Sequence, residues 1–124
     1  MHHGRGLRLL TRDAPEGWLA TLARDYREAE LVPRQRALLD WAARATLRPD
    51  DCGREDLETL RHHGLDDTDL LHAAEVIAYY AYANRIIELL AVELEEAQPG
   101  DDELFDPAAS RVLRDDLLAE LDRR

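Results

Sequence analysis

The chain has 124 residues, a net charge of −11 and 45% hydrophobic residues. This length limits it to one domain, or part of one, with a modest capacity to bury apolar surface by itself. The acidic balance excludes nucleic acid and anionic membrane as main partners, because phosphate binding depends on lysine and arginine. The single cysteine, Cys52, excludes an internal disulfide framework. The N-terminal residues lack the apolar core of a signal peptide, so a cytoplasmic location is expected.

Helical periodicity begins at the N-terminus. The opening MHHGRGLRLLTRD is typical of the end of a helix, with leucines on one side and arginines on the other. A helix is then predicted from Pro15 to Ala29, because proline suits a first helical position and apolar residues recur at helical spacing.

Prolines and a glycine delimit the next two helices. Pro33 begins a helix that Pro49 ends. A short helix follows from about Arg54 to His63, and Gly64 supplies its left-handed stop.

The stretch DTDLLHAAEVIAYYAYANRIIELLAVELEE, Asp67–Glu96, predicts one long helix. Acidic residues at its start favour a helix N-terminus. Residues 73–83 are apolar or aromatic on nearly every face, which predicts that the helix is buried at the centre of the core. The apolar run is too short to span a membrane. Asn84 and Arg85 are expected to find partners such as Glu88, Glu75 or groups of a neighbouring subunit.

Beyond the long helix, residues 97–106 predict an acidic linker and 107–124 a last helix that ends near Asp122. The predicted domains are therefore a helical core over 1–96, the linker, and a C-terminal helical arm. No strand pattern occurs, so the fold class is all-α, a helical bundle around one long buried helix. An apolar stripe on the last helix is formed by Val112, Leu113, Leu117 and Leu121.

Two groups of side chains are candidates for reactive or metal-binding sites. Cys52 lies beside Asp50 and Asp51, which disfavour its thiolate, so a cysteine without a role is preferred over a reactive thiol. His72 and Glu75 lie one helical turn apart, but one such pair is less than a metal site needs. No metal or cofactor is predicted. The tyrosines of the long helix are assigned to the core rather than to a pocket.

Three stretches together resemble a known family: HHGRGLRLLT at 2–11, LVPRQRALLDWAARAT at 31–46, and 60–95 with its glycine-leucine-acid helix start, aromatic pair and Asn-Arg. The chain is similar here to the AhpD-like group of the carboxymuconolactone decarboxylase superfamily, in its peroxidase-related (alkylhydroperoxidase-like) branch. The resemblance implies an antioxidant oxidoreductase that reduces a small hydrophobic peroxide with a thiol reductant.

In that family the chemistry resembles a thiol peroxidase built on C-x-x-C-x-x-x-H, with an upstream glutamate as proton relay. The resemblance matches His3 to the catalytic histidine and places both cysteines before Met1, so that the chain is expected to be N-terminally truncated relative to the motif. The alternative interpretation of His2-His3 is a disordered terminus or the remnant of a tag.

Three hypotheses follow for the function. The first is a peroxidase-related protein without its redox motif. The second is a catalytically degenerate module for helical oligomerisation or small-molecule binding, and the third is decarboxylase-type chemistry on a lactone acid. Under each of them a homo-oligomer is predicted, held by the long helix and the C-terminal arm, because a helix apolar on all faces needs cover from every side.

Overall fold

The computed structural model describes Leu7, Thr11 and residues 13–92 and 107–123. Over these residues every regular element is helical, which confirms the all-α class. None of the helices in this part of the chain combines the length and the apolarity that crossing a membrane requires. The α-helices are α1 (Trp18–Arg24), α2 (Pro33–Leu47), α3 (Arg54–His62), α4 (Asp67–Leu89) and α5 (Pro107–Leu121), and 3₁₀ turns cover Tyr26–Glu28 and Pro49–Asp51.

The chain divides into two compact units. One comprises Met1–Glu30 with Glu95–Arg124, and the other is the continuous segment Leu31–Leu94. The predicted helix end at 1–13 lies outside the described residues, except for Leu7, Thr11 and Asp13. The acidic linker at 97–106 also lies outside them. The predicted extents of the core (1–96) and the arm (107–124) stay predictions.

The continuous unit is built on a small leucine core. Leu60, Leu65 and Leu70 are buried together, and Leu60 is only 1% exposed. The turn between α3 and α4 brings the three leucines together. Gly64 has a φ angle of 82°, and the N–H of Leu65 donates to the carbonyl of Leu60 at 3.2 Å. This is the Schellman end expected of a glycine after a helix. The partly buried side chains against this core are Ala37, Leu38, Trp41 and Leu57.

Ion pairs fix the start of α4 to its neighbours. Asp66 caps the helix by accepting from the N–H of Asp69 at 2.8 Å. The Asp69 carboxylate accepts from Arg34 of α2 at 2.7 Å, and Asp67 accepts from Arg61 of α3 at 2.8 Å. The acidic helix start seen in the sequence therefore serves both as a cap and as an attachment to two other helices.

The end and the burial of the long helix differ from prediction. Helix α4 ends at Leu89 rather than Glu96. Ala91 has a φ angle of 47°, and the N–H of Val92 donates to the Ile87 carbonyl at 3.1 Å. These contacts form a second Schellman turn, with alanine at the position that favours glycine. The helix is also not buried within one chain, since Leu70 is its only buried residue.

The second unit contains α1 and α5. The helix predicted from Pro15 to Ala29 is shorter than expected, because Asp25 takes an extended conformation and starts a 3₁₀ turn. Arg27 of that turn bonds Asp25 and Glu120, each at 2.7 Å. The hydrogen bond from Arg27 lowers the pKa of Asp25, and the same bond raises the pKa of the guanidinium.

The C-terminal helix agrees with its predicted bounds and with most of its stripe. It runs from Pro107 to Leu121. Leu113, Leu117 and Leu121 are partly buried as predicted, whereas Val112 is exposed. The apolar stripe of the C-terminal helix is therefore partly shielded from water at three of its four positions.

Candidate functional site

Exposed apolar side chains lie on more than one side of α4, and four large ones share one side. Tyr79, Tyr82, Ile86 and Leu89 are 63%, 66%, 41% and 83% exposed. We name these four side chains the α4 stripe. Their spacing of three, four and three residues is the spacing of core positions in a coiled coil, which places all of them on one side of the helix.

Helical geometry explains why the stripe faces away from the core. The nine residues from Leu70 to Tyr79 turn the helix through about 180° net, at 3.6 residues per turn. Leu70 is buried against the leucine core, so the stripe lies on the opposite side of α4. This side of α4 is therefore not covered by its own chain, and the expected cover by another copy stays a prediction.

Aromatic side chains give this surface both area and polar groups. Tyr79 and Tyr80 contact edge to face, with ring centroids 5.3 Å apart and an interplanar angle of 81°. Tyrosines are enriched in protein interfaces because they bury a large ring and still present a hydroxyl. Their assignment to the core is wrong for Tyr79 and Tyr82 in the single chain.

Glu75 and Arg85 lie at the ends of an uncharged run in α4, and Arg85 falls within the length of the stripe. Glu75 precedes it by one turn and is exposed, and between Glu75 and Arg85 the sequence contains no charged residue. Arg85 and Asn84 are exposed rather than buried, and Arg85 donates to the Ala81 carbonyl at 3.1 Å. Among the described residues, Arg85 forms no ion pair with Glu88 or Glu75. Because its guanidinium is exposed, water can solvate the charge.

Cys52 follows the 3₁₀ turn after α2 and has the character of a poor nucleophile. Burial raises the pKa of its half-buried thiol most, Asp56 and Asp51 raise it further, and Arg44 opposes them. The predicted direction is confirmed. The sequence neighbours are only part of the cause, since burial leads and the opposing cation is Arg44 of α2.

We expect slow alkylation of Cys52. Because its pKa is raised above the ordinary value near ~8.5, the thiolate fraction at neutral pH is below that of a free thiol, and the rate should rise only at alkaline pH. Iodoacetamide modification followed by mass spectrometry from pH 6 to 10 measures this, with the urea-unfolded chain as reference. Faster modification of the folded chain at pH 7 would contradict the expectation.

The histidines provide no assembled site in the described part of the chain. His3, the residue matched to the catalytic histidine, lies outside the described residues, as does His2. His72 is exposed, and the Nδ1 atom of His62 lies 2.7 Å from the Glu58 carbonyl oxygen of its own helix. Over the described residues, no three His, Cys, Asp or Glu side chains converge in a way that could hold a metal ion.

The residues of the α4 stripe support two interpretations of the sequence. The spacing of residues 79, 82, 86 and 89 predicts a seam, whereas the all-round apolarity of the helix predicted a core. Distinguishing the two needs knowledge of which side meets α2 and α3.

Comparison with family models, curated proteins and solved structures finds no match to this chain.

Proposed function

We propose that this chain works as a helical self-association module in which the α4 stripe packs against a second copy. The observation that carries the proposal is the exposure of four large apolar side chains at coiled-coil spacing on one side of α4. Such a surface is costly in water, at roughly 25 cal/mol per Å² of apolar area. Contiguous apolar surface of this kind marks interaction sites.

The composition of the surface supports protein as its partner. Residues 76–84 contain three tyrosines and no charged side chain. Interface centres are depleted of charge and enriched in tyrosine, and their charges lie at the rim. Glu75 and Arg85 lie at the two ends of this uncharged run.

The test is the effect of a charge within the stripe on association. Wild-type protein at micromolar concentration should sediment as a dimer or larger species, and Tyr82→Glu should shift it to monomer, because a carboxylate would be buried without a partner. The matched control is Val32→Glu, since Val32 is 58% exposed and belongs to the N-terminus of α2. A wild-type monomer, or an equal effect of both substitutions, would refute the proposal.

At the level of family chemistry, we propose that the module belongs to an AhpD-like, peroxidase-related protein. Support comes from the sequence resemblance, and from the resembling stretch forming a glycine turn followed by a capped long helix. Cys52 has a raised pKa, opposite to that of an attacking thiolate. With one cysteine, residues 1–124 do not contain the C-x-x-C pair of that chemistry. A reducing cytoplasm would provide the thiol reductant.

This second proposal has its own assay. A chain extended to include C-x-x-C ahead of Met1 should consume an organic hydroperoxide with a dithiol reductant, and the present chain should not. Cysteine-to-serine variants of the extended chain are the control. Turnover by the present chain that survives Cys52→Ser, or none by the extended chain, would contradict it.

A further inference from the structure

We propose that two copies of α4 pair antiparallel about a two-fold axis between residues 80 and 81, with Glu75 of each copy bound to Arg85 of the other. The inference rests on the self-association proposed above and adds its partner geometry. It defines one occupant for the stripe, a second copy of this chain, and one orientation.

Glu75 lies on the same side of α4 as the stripe, whereas Arg85 lies beside it, about 40° from Leu89 around the helix axis. At 100° per residue, Glu75 and the four stripe residues fall within a sector of about 80° on α4. Leu70, which packs on the leucine core, points away from this sector. A second helix laid along the sector would therefore meet the stripe and Glu75 together without displacing the contacts that α4 makes with its own unit.

The register of the two helices decides which residues lie opposite each other. Antiparallel helices related by a two-fold axis pair residues whose numbers have a constant sum. With the axis between residues 80 and 81, Tyr79 of each copy lies opposite Tyr82 of the other, as in successive layers of a coiled coil. The same register places Glu75 opposite Ile86 and about 1.5 Å along the axis from Arg85 of the second copy.

Glu75 and Arg85 are both able to form an ion pair with a second copy. Glu75 and Arg85 are exposed in the single chain. Within the described part of the chain, Arg85 makes one hydrogen bond, to the Ala81 carbonyl. A guanidinium has five N–H donors, so donors remain for a carboxylate. Two equivalent pairs then form at the ends of the uncharged run, one at each side of the two-fold axis.

Other arrangements bring like charges together. A parallel pair would place Glu75 opposite Glu75 and Arg85 near Arg85. An antiparallel pair shifted to centre on residue 84 would match the apolar stripe with itself, but it would bring the two Arg85 side chains together. Like charges at an interface select against wrong partners and registers. Charge complementarity thus favours the register centred between residues 80 and 81.

Charge reversal tests this geometry. Glu75→Arg and Arg85→Glu should each weaken association roughly tenfold by creating two like-charge pairs. The double variant should restore it. Mixing the two single variants should give a mixed dimer in which both pairs are again opposite in charge. Glu58→Arg, an exposed charge reversal on α3, is the control for net charge. Sedimentation velocity over a concentration series measures each case.

The outcomes separate the two proposals. If wild-type protein associates but the single reversals do not weaken it, or the double variant does not recover, this register is wrong and self-association stands. If wild-type protein is monomeric, both proposals fall. Weakening by each single reversal, recovery in the double variant and a mixed dimer together support the antiparallel pair, because a parallel pair would leave the single variants unaffected.

Discussion

Leu60→Ala should lower the free energy of unfolding by about 3–4 kcal/mol, the usual cost of truncating a buried leucine. Leu60 is 1% exposed and belongs to the cluster formed with Leu65 and Leu70. Its carbonyl also accepts the bond that closes the turn into α4. The cavity left by the missing methyl groups would therefore lie where α3 and α4 meet. Urea unfolding followed by circular dichroism and tryptophan fluorescence measures the loss.

The control for this substitution is Val32→Ala. Val32 belongs to the same unit and is exposed, so its truncation should change stability by less than about 0.5 kcal/mol. A loss below about 1 kcal/mol for Leu60→Ala would mean that the leucine cluster does not hold the unit together.

Asp56→Ala should cost about 2 kcal/mol, in the range of charge-assisted hydrogen bonds. The Asp56 carboxylate accepts from Arg44 of α2 and from the N–H of Gly53 at 2.9 Å, the start of α3. Both side chains of the ion pair are mostly shielded from water, at 24% and 15% exposed. The substitution thus removes a cap, and it leaves Arg44 without this partner.

Two further variants separate these contributions. Asp56→Asn keeps an acceptor for the Gly53 N–H but loses the charge, so its cost should fall below that of Asp56→Ala. Glu55→Ala, at the adjacent exposed position, should cost only a few tenths of a kcal/mol. Asp56→Asn should also speed alkylation of Cys52, because one group that raises the thiol pKa is removed. Equal stability of all three variants would contradict the assigned role.

Prolines and a glycine at helix boundaries made much of the fold predictable. Pro33, Pro49 and Gly64 set helix boundaries by local backbone sterics, which the chain carries in its sequence alone. The early end of α4 was not predictable in this way, because Ala91 has no intrinsic preference for a positive φ. Likewise, the bond from Arg27 to Glu120 joins residues 93 positions apart, and no local pattern shows it.

The candidate site was predictable in its residues but not in its exposure. Spacing alone identifies residues 79, 82, 86 and 89 as one side of a helix. Apolarity then indicates that the side is covered, without indicating whether its own chain or another copy covers it. The two cases differ in assembly, which one sequence does not contain.

The different chain connectivity of the two units has a kinetic consequence. Leu31–Leu94 is continuous, and the three leucines of its core lie within a few residues of the Gly64 turn. Such local contacts form fast, because little loop entropy is lost before they are made. The unit of α1 and α5 joins the two ends of the chain, so it must close a long loop first. Folding should therefore proceed in two stages, with Trp41 reporting the fast stage and Trp18 the slow one.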